Sequence, residues 1–362
     1  MSRVPKPTDI STLLRMLRFE HDPRLAKLME EDLRWSIKDM DSKVRGRALS
    51  ALAATHIYKD VDPEDRDAQA VFAALDMWLS ADSVREVDVA IVAVKEVELD
   101  AVKSAFGVPL TQREDHYVNG AYFFMCEAAQ PGGRPPLKVV ITMAGRSGND
   151  TMAAFLATVF TAFSARLCCL VGMAAGDEEQ VSKGDVLFGL EVVDFKRKIM
   201  TDGGEELDPK PLAPSQALIR DFSFFRPERM GWHELTRQTI FNTVAEFSDI
   251  VVPVAFDPAT YCPGFKRTRI MAADELIEDD SISVRAALAG PARRTSGAEM
   301  EGSGFAVGCS EWGVPWLVMR GIADYGRREQ DSRPKDWQFV STVAAAACLR
   351  TWLESSHFMA PR

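Results

Sequence analysis

The sequence predicts an α/β protein with a mixed or parallel sheet, preceded by a small all-α segment. Residues 87–94 form a near-continuous apolar run of strand length, which is typical of a strand covered on both faces. Similar runs recur along the chain with helical stretches between them, and this alternation indicates an α/β fold. In residues 1–85, apolar residues recur instead near helical spacing, with charges between them.

The individual elements follow from the same patterns. Further strands are predicted at residues 138–142, 167–171, 185–193 and 316–320. Helices are predicted at residues 98–106, 149–163, 302–312 and 337–353. Residues 200–265 are rich in proline, glycine and charge, which predicts an insertion over the sheet edge. The predicted organisation is a helical adaptor or regulatory segment in residues 1–85 and a catalytic domain in residues 86–362.

The composition limits the classes of function. The chain has 362 residues, 46% of them hydrophobic and 27% charged, which is typical of a globular protein with a substantial core. Its net charge of −10 argues against a general nucleic-acid binder, because such a protein needs a basic surface. A small anionic substrate stays open, since a local pocket can oppose the global sign of charge.

Neither a membrane segment nor a metal or cofactor site is expected. No run approaches the roughly 20 apolar residues of a membrane span, and the first residues lack the apolar core of a signal peptide. The six cysteines show no CxxC spacing, and the five histidines form no metal-binding pair. The sequence therefore predicts a cytoplasmic protein with reduced cysteines.

Two carboxylates near the C-terminus suggest chemistry at a glycosidic carbon. Glu301 closes the motif Gly297-Ala-Glu-Met-Glu, and Asp324 follows after one predicted helix and the return strand. Cleavage of a glycosidic bond needs charge stabilisation near the sugar and an acid for the leaving group. Asp324 ends an apolar strand, where a raised pKa would let it protonate a base. A helix-capping aspartate and a solvated glutamate are the structural alternative.

Three other loops follow predicted strand ends, where such folds bind ligands. Glu98, in the first turn of a helix, would activate water as a general base or simply favour the helix dipole. Arg146 and Ser147, in a glycine-containing loop before a helix, would hold an anion or a ribose hydroxyl. That loop is otherwise an ordinary strand-to-helix turn. Met173 and Ala174 lie in a loop that allows close approach of a ligand, although strand packing explains it equally well.

Together these motifs resemble the purine nucleoside phosphorylase/nucleosidase superfamily, and within it the methylthioadenosine/S-adenosylhomocysteine nucleosidase branch most closely. The resemblance covers residues 87 to 362 and is most specific from Glu299 to Asp324. It implies a three-layer α/β/α phosphorylase-like sandwich whose central mixed sheet curls towards a barrel. It also implies a homo-oligomer.

The resemblance implies a role for each motif residue. Glu98 would activate the hydrolytic water, Met300 would pack on the ribose, and Glu301 would bind the ribose hydroxyls. Asp324 would protonate N7 of a purine. The further substrate contacts that it implies are Arg146, Ser147, Met173, Ala174, Leu276, Ile277 and Arg320.

The sequence departs from the family pattern near the substrate. The nucleosidase Gly-Ser-Ala-Gly loop is Gly172-Met-Ala-Ala175 here, alanine replaces the serine before Asp324, and Leu276 replaces the aromatic that stacks on the base. Basic clusters containing Lys196 and Arg197, and at residues 265–269, would suit a phosphorylated substrate if they flank the ribose 5′ side. Solvated surface charges are the alternative.

Three functions are therefore in competition. The first is hydrolysis of a purine nucleoside or nucleotide, with adenine favoured and with AMP or ATP as candidate substrates. The second is a phosphorylase, in which Arg146 and Ser147 would hold phosphate. The third is a non-catalytic nucleotide sensor or adaptor that binds a partner protein through residues 1–85. The pattern also resembles phosphorylase-like effector domains that lie beside helical adaptors in bacterial immune systems.

Overall fold

The computed structural model describes residues 85–118, 120–194, 210–254, 256–272, 295–326 and 335–356, and the backbone of residues 198–201 and 204–207. The predicted all-α segment lies outside the described residues, apart from Arg85, which begins the first strand. Leu276, Ile277, Lys196 and Arg197 also lie outside them. Among the described helices, none is long and apolar enough to cross a membrane.

Twelve strands and six α-helices make up the described part of the chain. The strands are β1 (Arg85–Ala93), β2 (His116–Val118), β3 (Ala121–Ala128), β4 (Leu137–Met143), β5 (Phe163–Gly176), β6 (Val186–Asp194), β7 (Lys198–Thr201), β8 (Gly204–Leu207), β9 (Lys210–Leu212), β10 (Phe265–Ala272), β11 (Thr295–Glu299) and β12 (Trp316–Asp324). The helices are α1 (Glu96–Ala105), α2 (Asn149–Ala162), α3 (Gln216–Phe224), α4 (Trp232–Glu246), α5 (Gly302–Glu311) and α6 (Gln338–Ser355). Short 3-10 turns lie at Pro131–Gly133 and Pro227–Arg229.

The central sheet is mixed and partly closes on itself. Its order is β11-β10-β6-β12-β5-β1-β4-β3-β2, and β9 pairs with β6. The strands β4, β1, β5 and β12 are parallel to their neighbours in that run, whereas β12 and β6 are antiparallel. β11 also pairs with the end of β5, at Gly297 and Gly176. The strands β5, β12, β6, β10 and β11 therefore form a closed ring, as expected for a sheet that curls towards a barrel.

Helices cover both faces of the sheet. Alternate residues of β1 point to opposite faces, so Val89 and Ile91 pack in the core with α1 and α6. Ala90 and Val92 pack in the other core, with α2 and α5. Because both faces are covered, the strand is apolar along its whole length. The predicted α/β/α layering and mixed sheet are confirmed.

The strands and helices predicted in residues 86–362 are all present, and the structure adds strands that the sequence did not predict. β5 begins earlier than predicted and continues to Gly176, and β12 continues to Asp324. The added strands include β3, an apolar segment that was not predicted, and β10 and β11, whose residues show neither a long apolar run nor strict alternation. The predicted insertion contains α3 and α4, and Trp232 of α4 donates a 2.8 Å hydrogen bond to the carbonyl of Ala344.

Close backbone contact between α2 and α5 depends on a glycine. A Cβ atom at Gly304 would lie 1.9 Å from the carbonyl oxygen of Asn149. The backbone N–H of Gly304 donates a 2.9 Å hydrogen bond to Oδ1 of Asn149. The two helices therefore fix the position of the turn that precedes α5.

We expect Gly304→Ala to lower the free energy of unfolding by about 1–3 kcal/mol, because the added methyl group meets rigid backbone. The measurement is denaturant unfolding at equilibrium. Gly308→Ala in the same helix is the matched control, since its Cβ would meet the flexible end of Leu156, 2.8 Å away. A helical alanine gains about 1 kcal/mol over glycine, which offsets that contact. Equal losses in both variants would contradict this account of the helix contact.

Candidate active site

A cavity of about 140 Å³ lies where β5, β11 and β12 end and α1 begins. The described residues that line it are Val94, Lys95, Glu98, Ser147, Met173, Ala174, Ala175, Ala298, Glu299, Met300, Glu301, Asp324, Gly326 and Gln338. Four of these residues are carboxylic acids. The cavity thus collects acidic groups from two strand ends, the turn before α5 and the start of α1.

Glu98 is fixed by hydrogen bonds from three backbone N–H groups. Its Oε2 accepts bonds from Val94 (2.8 Å) and Lys95 (3.0 Å), at the turn from β1 into α1. Its Oε1 accepts a 2.8 Å bond from Met173 of β5. The side chain is 2% exposed. Because both oxygens are engaged by the backbone of two elements, the fold sets the position of this carboxylate.

Glu98 can occupy this position because its neighbour on β5 is a glycine. A Cβ atom at Gly172 would lie 2.3 Å from Oε1 of Glu98 and 2.5 Å from Nη1 of Arg320. Neither distance is compatible with the observed side-chain positions. Gly172 therefore provides the space in which Glu98 and Arg320 approach each other.

Arg320 lies at the centre of three glutamates. It is fully buried in β12, and its Nη2 contacts carboxylate oxygens of Glu299 and Glu301, the latter at 3.1 Å. Its Nη1 lies 3.9 Å from Oε1 of Glu98. Burial opposes the charge of Arg320, but the carboxylates Glu299, Glu301 and Glu98 outweigh it and raise the pKa of the guanidinium. One cation thus joins the carboxylates of α1 and β11 and that of Glu301.

Glu299 is held beside Arg320 by the backbone at the start of α5. Its carboxylate accepts hydrogen bonds from Glu301 N–H (3.1 Å) and from Gly302 N–H (2.8 Å to Oε1). Burial raises the pKa of the Glu299 carboxyl, the positive charge of Arg320 lowers it, and the negative charge of Glu301 raises it again; the net direction is upward. Glu299 consequently holds a proton to a higher pH than an exposed glutamate.

Asp324 lies on the same cavity, at the end of β12. Its Oδ1 accepts a 2.9 Å hydrogen bond from Gly326 N–H, which fixes the turn after the strand. The side chain is partly buried. Asp324 and the glutamates therefore reach one cavity from different strand ends.

Most of the site residues that the sequence singled out meet in this cavity. Those that line it are Glu98, Ser147, Met173, Ala174, Met300, Glu301 and Asp324. Arg146 is not among its lining residues, and Arg320 lies fully buried beneath the carboxylates instead of at the cavity surface. The basic cluster at residues 265–269 does not line the cavity either.

Among the described lining residues with polar or charged side chains, three were not singled out from the sequence. Glu299 stands in the Ala-Glu-Met-Glu motif, at the end of β11. That motif is the sequence signal that could have identified it as a site residue. Lys95 precedes the first turn of α1 and adds a positive charge to the lining. Gln338 begins α6, far from the motifs, and no sequence pattern marked it.

Comparison with known proteins places this cavity in a fold that nucleosidases share. No family model matches the chain. ATP nucleosidase Cap17 of Escherichia coli strain KTE188 is 23% identical over 291 residues, which cover 76% of this chain and 53% of Cap17. The chain thus spans about half the length of the curated relatives that it matches.

Solved structures of nucleosidases and hydrolases also match the fold of this chain. Futalosine hydrolase of Helicobacter pylori strain 26695 matches with a TM-score of 0.51 and 15% identity, over 74% of this chain and 97% of that protein. Helicobacter pylori 5′-methylthioadenosine/S-adenosylhomocysteine nucleosidase matches with a TM-score of 0.51 and 16% identity, over 74% and 97%. This chain has the nucleosidase fold. The predicted resemblance to the purine nucleoside phosphorylase/nucleosidase superfamily is therefore confirmed for the architecture of its α/β domain.

The raised pKa of Glu299 gives this nucleosidase-fold domain a pH-dependent stability. The unfolded chain loses the Glu299 proton near the ordinary value of 4.5, whereas the folded chain keeps it to higher pH. The stabilisation that this proton contributes is complete below pH 4.5 and is lost as pH rises to the folded pKa. In that window we expect the wild-type free energy of unfolding to fall by about 1.4 kcal/mol for each pH unit, relative to Glu299→Gln.

Denaturant unfolding at a series of pH values measures this difference. Glu234→Gln is the control, because hydrogen bonds from Arg237 and Gln238 lower the pKa of this exposed carboxyl. Its contribution is lost as pH falls, so above pH 4.5 its profile should match the wild type. A wild-type profile parallel to that of Glu299→Gln above pH 4.5 would show that Glu299 has no raised pKa.

Proposed function

We propose that this protein hydrolyses the N-glycosidic bond of a purine nucleoside or nucleotide and releases the free base. The observation that carries the proposal is the convergence of Glu98, Glu301 and Asp324 on one cavity. Glycosidic cleavage needs carboxylates on both sides of the reacting carbon. The name of the relative, ATP nucleosidase, and the hydrolase and nucleosidase titles of the matched structures support the same class of reaction.

In the proposed reaction, Glu98 acts as the general base. It removes a proton from water while the water oxygen forms a bond to C1′ of the sugar. The electron pair of the C1′–N9 bond moves into the purine, and Asp324 donates a proton to N7, so that the neutral base leaves. Asp324 must therefore enter the reaction protonated, and Glu98 must enter it ionised.

Glu301 and Met300 are proposed to hold the ribose. A carboxylate of Glu301 accepts hydrogen bonds from the 2′- and 3′-hydroxyls, and its negative charge favours the oxocarbenium-like transition state. Met300 provides an apolar surface for the sugar ring. Arg320, expected from the resemblance to contact substrate, is reassigned here as a positioning residue, because it is fully buried and pairs with Glu299 and Glu301.

The proposed substrate is an adenine nucleoside or nucleotide, with ATP and AMP as the phosphorylated candidates. The relative named ATP nucleosidase supports this choice. Ser147 and the positively charged Lys95 both line the cavity, and both suit a phosphate or ribose oxygen. A cytoplasmic role in bacterial defence, as a homo-oligomer with a protein partner bound by residues 1–85, completes the proposal and rests on the sequence resemblance.

We expect Asp324→Asn to lower the rate of base release by at least about 100-fold, because asparagine cannot supply the proton that N7 needs. The measurement is chromatography of the full-length protein incubated with adenosine, methylthioadenosine, S-adenosylhomocysteine, inosine, AMP and ATP, with and without phosphate. Asp249→Asn, an exposed aspartate outside the cavity, is the control and should keep the wild-type rate. Unchanged turnover in Asp324→Asn would remove Asp324 from the mechanism.

The same assay separates the competing functions. Free base formed without phosphate supports hydrolysis. Release that requires phosphate and yields ribose 1-phosphate would identify a phosphorylase. Tight nucleotide binding with no base released would identify a sensor or adaptor.

Gly172 provides an independent test of the general base. We expect Gly172→Ala to lower kcat by at least about 100-fold, since its methyl group displaces Glu98 from the nucleophile. Gly189→Ala on β6 is the matched control, because the nearest atom to its Cβ would be a flexible methyl carbon of Ile270 at 3.3 Å. Circular dichroism of both variants checks the fold. A fully active Gly172→Ala would show that the position of Glu98 does not matter for the reaction.

A further inference from the structure

A second cavity lies at the beginning of β10. Its volume is about 600 Å³, against about 140 Å³ for the candidate active site, and the two have no described lining residue in common. The pairing of β10 with β11 begins only at Arg269 and Thr295. Residues Phe265–Thr268 of β10 precede that pairing, and the cavity forms beside them.

Three cationic residues are among the described residues that line this cavity, in a chain whose net charge is −10. Lys266, Arg267 and Arg269 are consecutive or nearly so on β10, and one carboxylate, Glu191 of β6, accompanies them. Arg269 Nε donates to Glu191 Oε2 at 2.5 Å, so two of the three cations are not neutralised by a carboxylate of the lining. Among the described lining residues, positive charges therefore outnumber negative ones.

Two of the three cationic side chains, Lys266 and Arg267, donate to neutral acceptors. Lys266 Nζ donates a 3.0 Å hydrogen bond to Gln180 Oε1. Arg267 Nε donates a 2.8 Å bond to the carbonyl of Phe222, and its Nη2 donates to the carbonyl of Phe225. Since these acceptors carry no charge, they orient the cations without cancelling them, which reduces the entropy that a bound anion must remove.

The remaining lining is partly polar and partly apolar. The hydroxyls of Thr268 and Ser296 are 2.9 Å apart, and Ser296 donates a 2.9 Å bond to Gln180 Oε1. Leu190 and Ile219 contribute an apolar surface. A cavity of this size, with apolar walls and a few oriented polar groups, has the usual character of a small-molecule site.

We propose that this cavity binds a phosphorylated small molecule of about nucleotide size, with its phosphates against Lys266, Arg267 and Arg269. Guanidinium and ammonium groups are the side chains that recognise phosphate most strongly. The non-phosphate part of the ligand packs on Leu190 and Ile219. The basic cluster at residues 265–269 thus serves a separate site and not the 5′ side of the substrate in the candidate active site.

The second cavity lies close to the candidate active site, so the test must show which of the two binds the phosphorylated ligand. β11 places Ser296 in the second cavity and Ala298 in the candidate active site. At about 3.3 Å per residue along a strand, these two positions are roughly 7 Å apart. Each cavity contains its own lysine, Lys266 in the second and Lys95 in the first, and this difference allows each site to be altered separately.

The test is isothermal titration of the full-length protein with inorganic pyrophosphate. Lys266→Gln and Arg269→Gln each remove one positive charge from the second cavity, and we expect each to weaken the Kd by about tenfold or more. Lys95→Gln removes a charge from the candidate active site. Arg166→Gln removes one from an exposed ion pair with Asp88. Arg166→Gln is the control and should stay within about twofold of the wild type, whereas Lys95→Gln reports any pyrophosphate bound in the candidate active site.

The outcomes are distinct and do not depend on catalytic activity. Selective weakening in Lys266→Gln and Arg269→Gln supports the proposed site. Three results would overturn it: no binding of pyrophosphate by the wild-type protein, equal binding by all variants, or the largest loss in Lys95→Gln. The last result would place the pyrophosphate in the candidate active site. Thermal unfolding of each variant identifies any loss that comes from misfolding.

Discussion

The buried cluster of Arg320 with three glutamates is the interaction on which the candidate active site depends. A fully buried guanidinium is costly unless carboxylates compensate it, and here Glu98, Glu299 and Glu301 all lie within 4 Å. These groups come from α1, β11 and the turn before α5. Their relative positions are therefore set by one cation in the middle of β12. Removal of that cation would leave buried carboxylates uncompensated. The positions of the site carboxylates and the stability of the sheet therefore both depend on Arg320.

Closure of the sheet explains how distant parts of the chain reach this cluster. β11 pairs with both β10 and the end of β5, which brings Ala298 beside Ala175. Without that second pairing, Glu299 and Glu301 would follow an edge strand, away from Glu98. Small residues make the closure possible, because a Cβ atom at Gly297 would lie 3.0 Å from the carbonyl oxygen of Ala175 and 2.6 Å from Leu187. The ring of five strands is thus a requirement of the site as well as a feature of the fold.

The sequence predicted the layers of the fold and the carboxylates that follow apolar strands, but not the polar strands or the internal ion cluster. Glu98 and Asp324 were accessible because each comes directly after a buried run, where an α/β fold binds ligands. β10 was not, because Lys266, Arg267 and Arg269 interrupt any apolar pattern, and β11 was not, because it is a short run of small and polar residues. Tertiary pairing, and not local propensity, makes these segments strands. The burial of Arg320 was equally inaccessible, since its three partners lie far away in the sequence.

The charges of the cavity favour a neutral nucleophile. One guanidinium faces three glutamates, and Lys95 is the one cationic residue among the described lining residues, so glutamates outnumber the cations beside the reacting carbon. A second anion about 4 Å from Glu98 would meet a repulsion of roughly 1–4 kcal/mol, depending on the local dielectric constant. A water molecule is neutral and avoids that repulsion, and Glu98 can remove its proton as a general base. Phosphate as nucleophile would instead need a cation beside C1′; Arg320 already pairs with Glu299 and Glu301, which leaves Lys95 among the described lining residues. The electrostatics of the described site therefore favour hydrolysis over phosphorolysis.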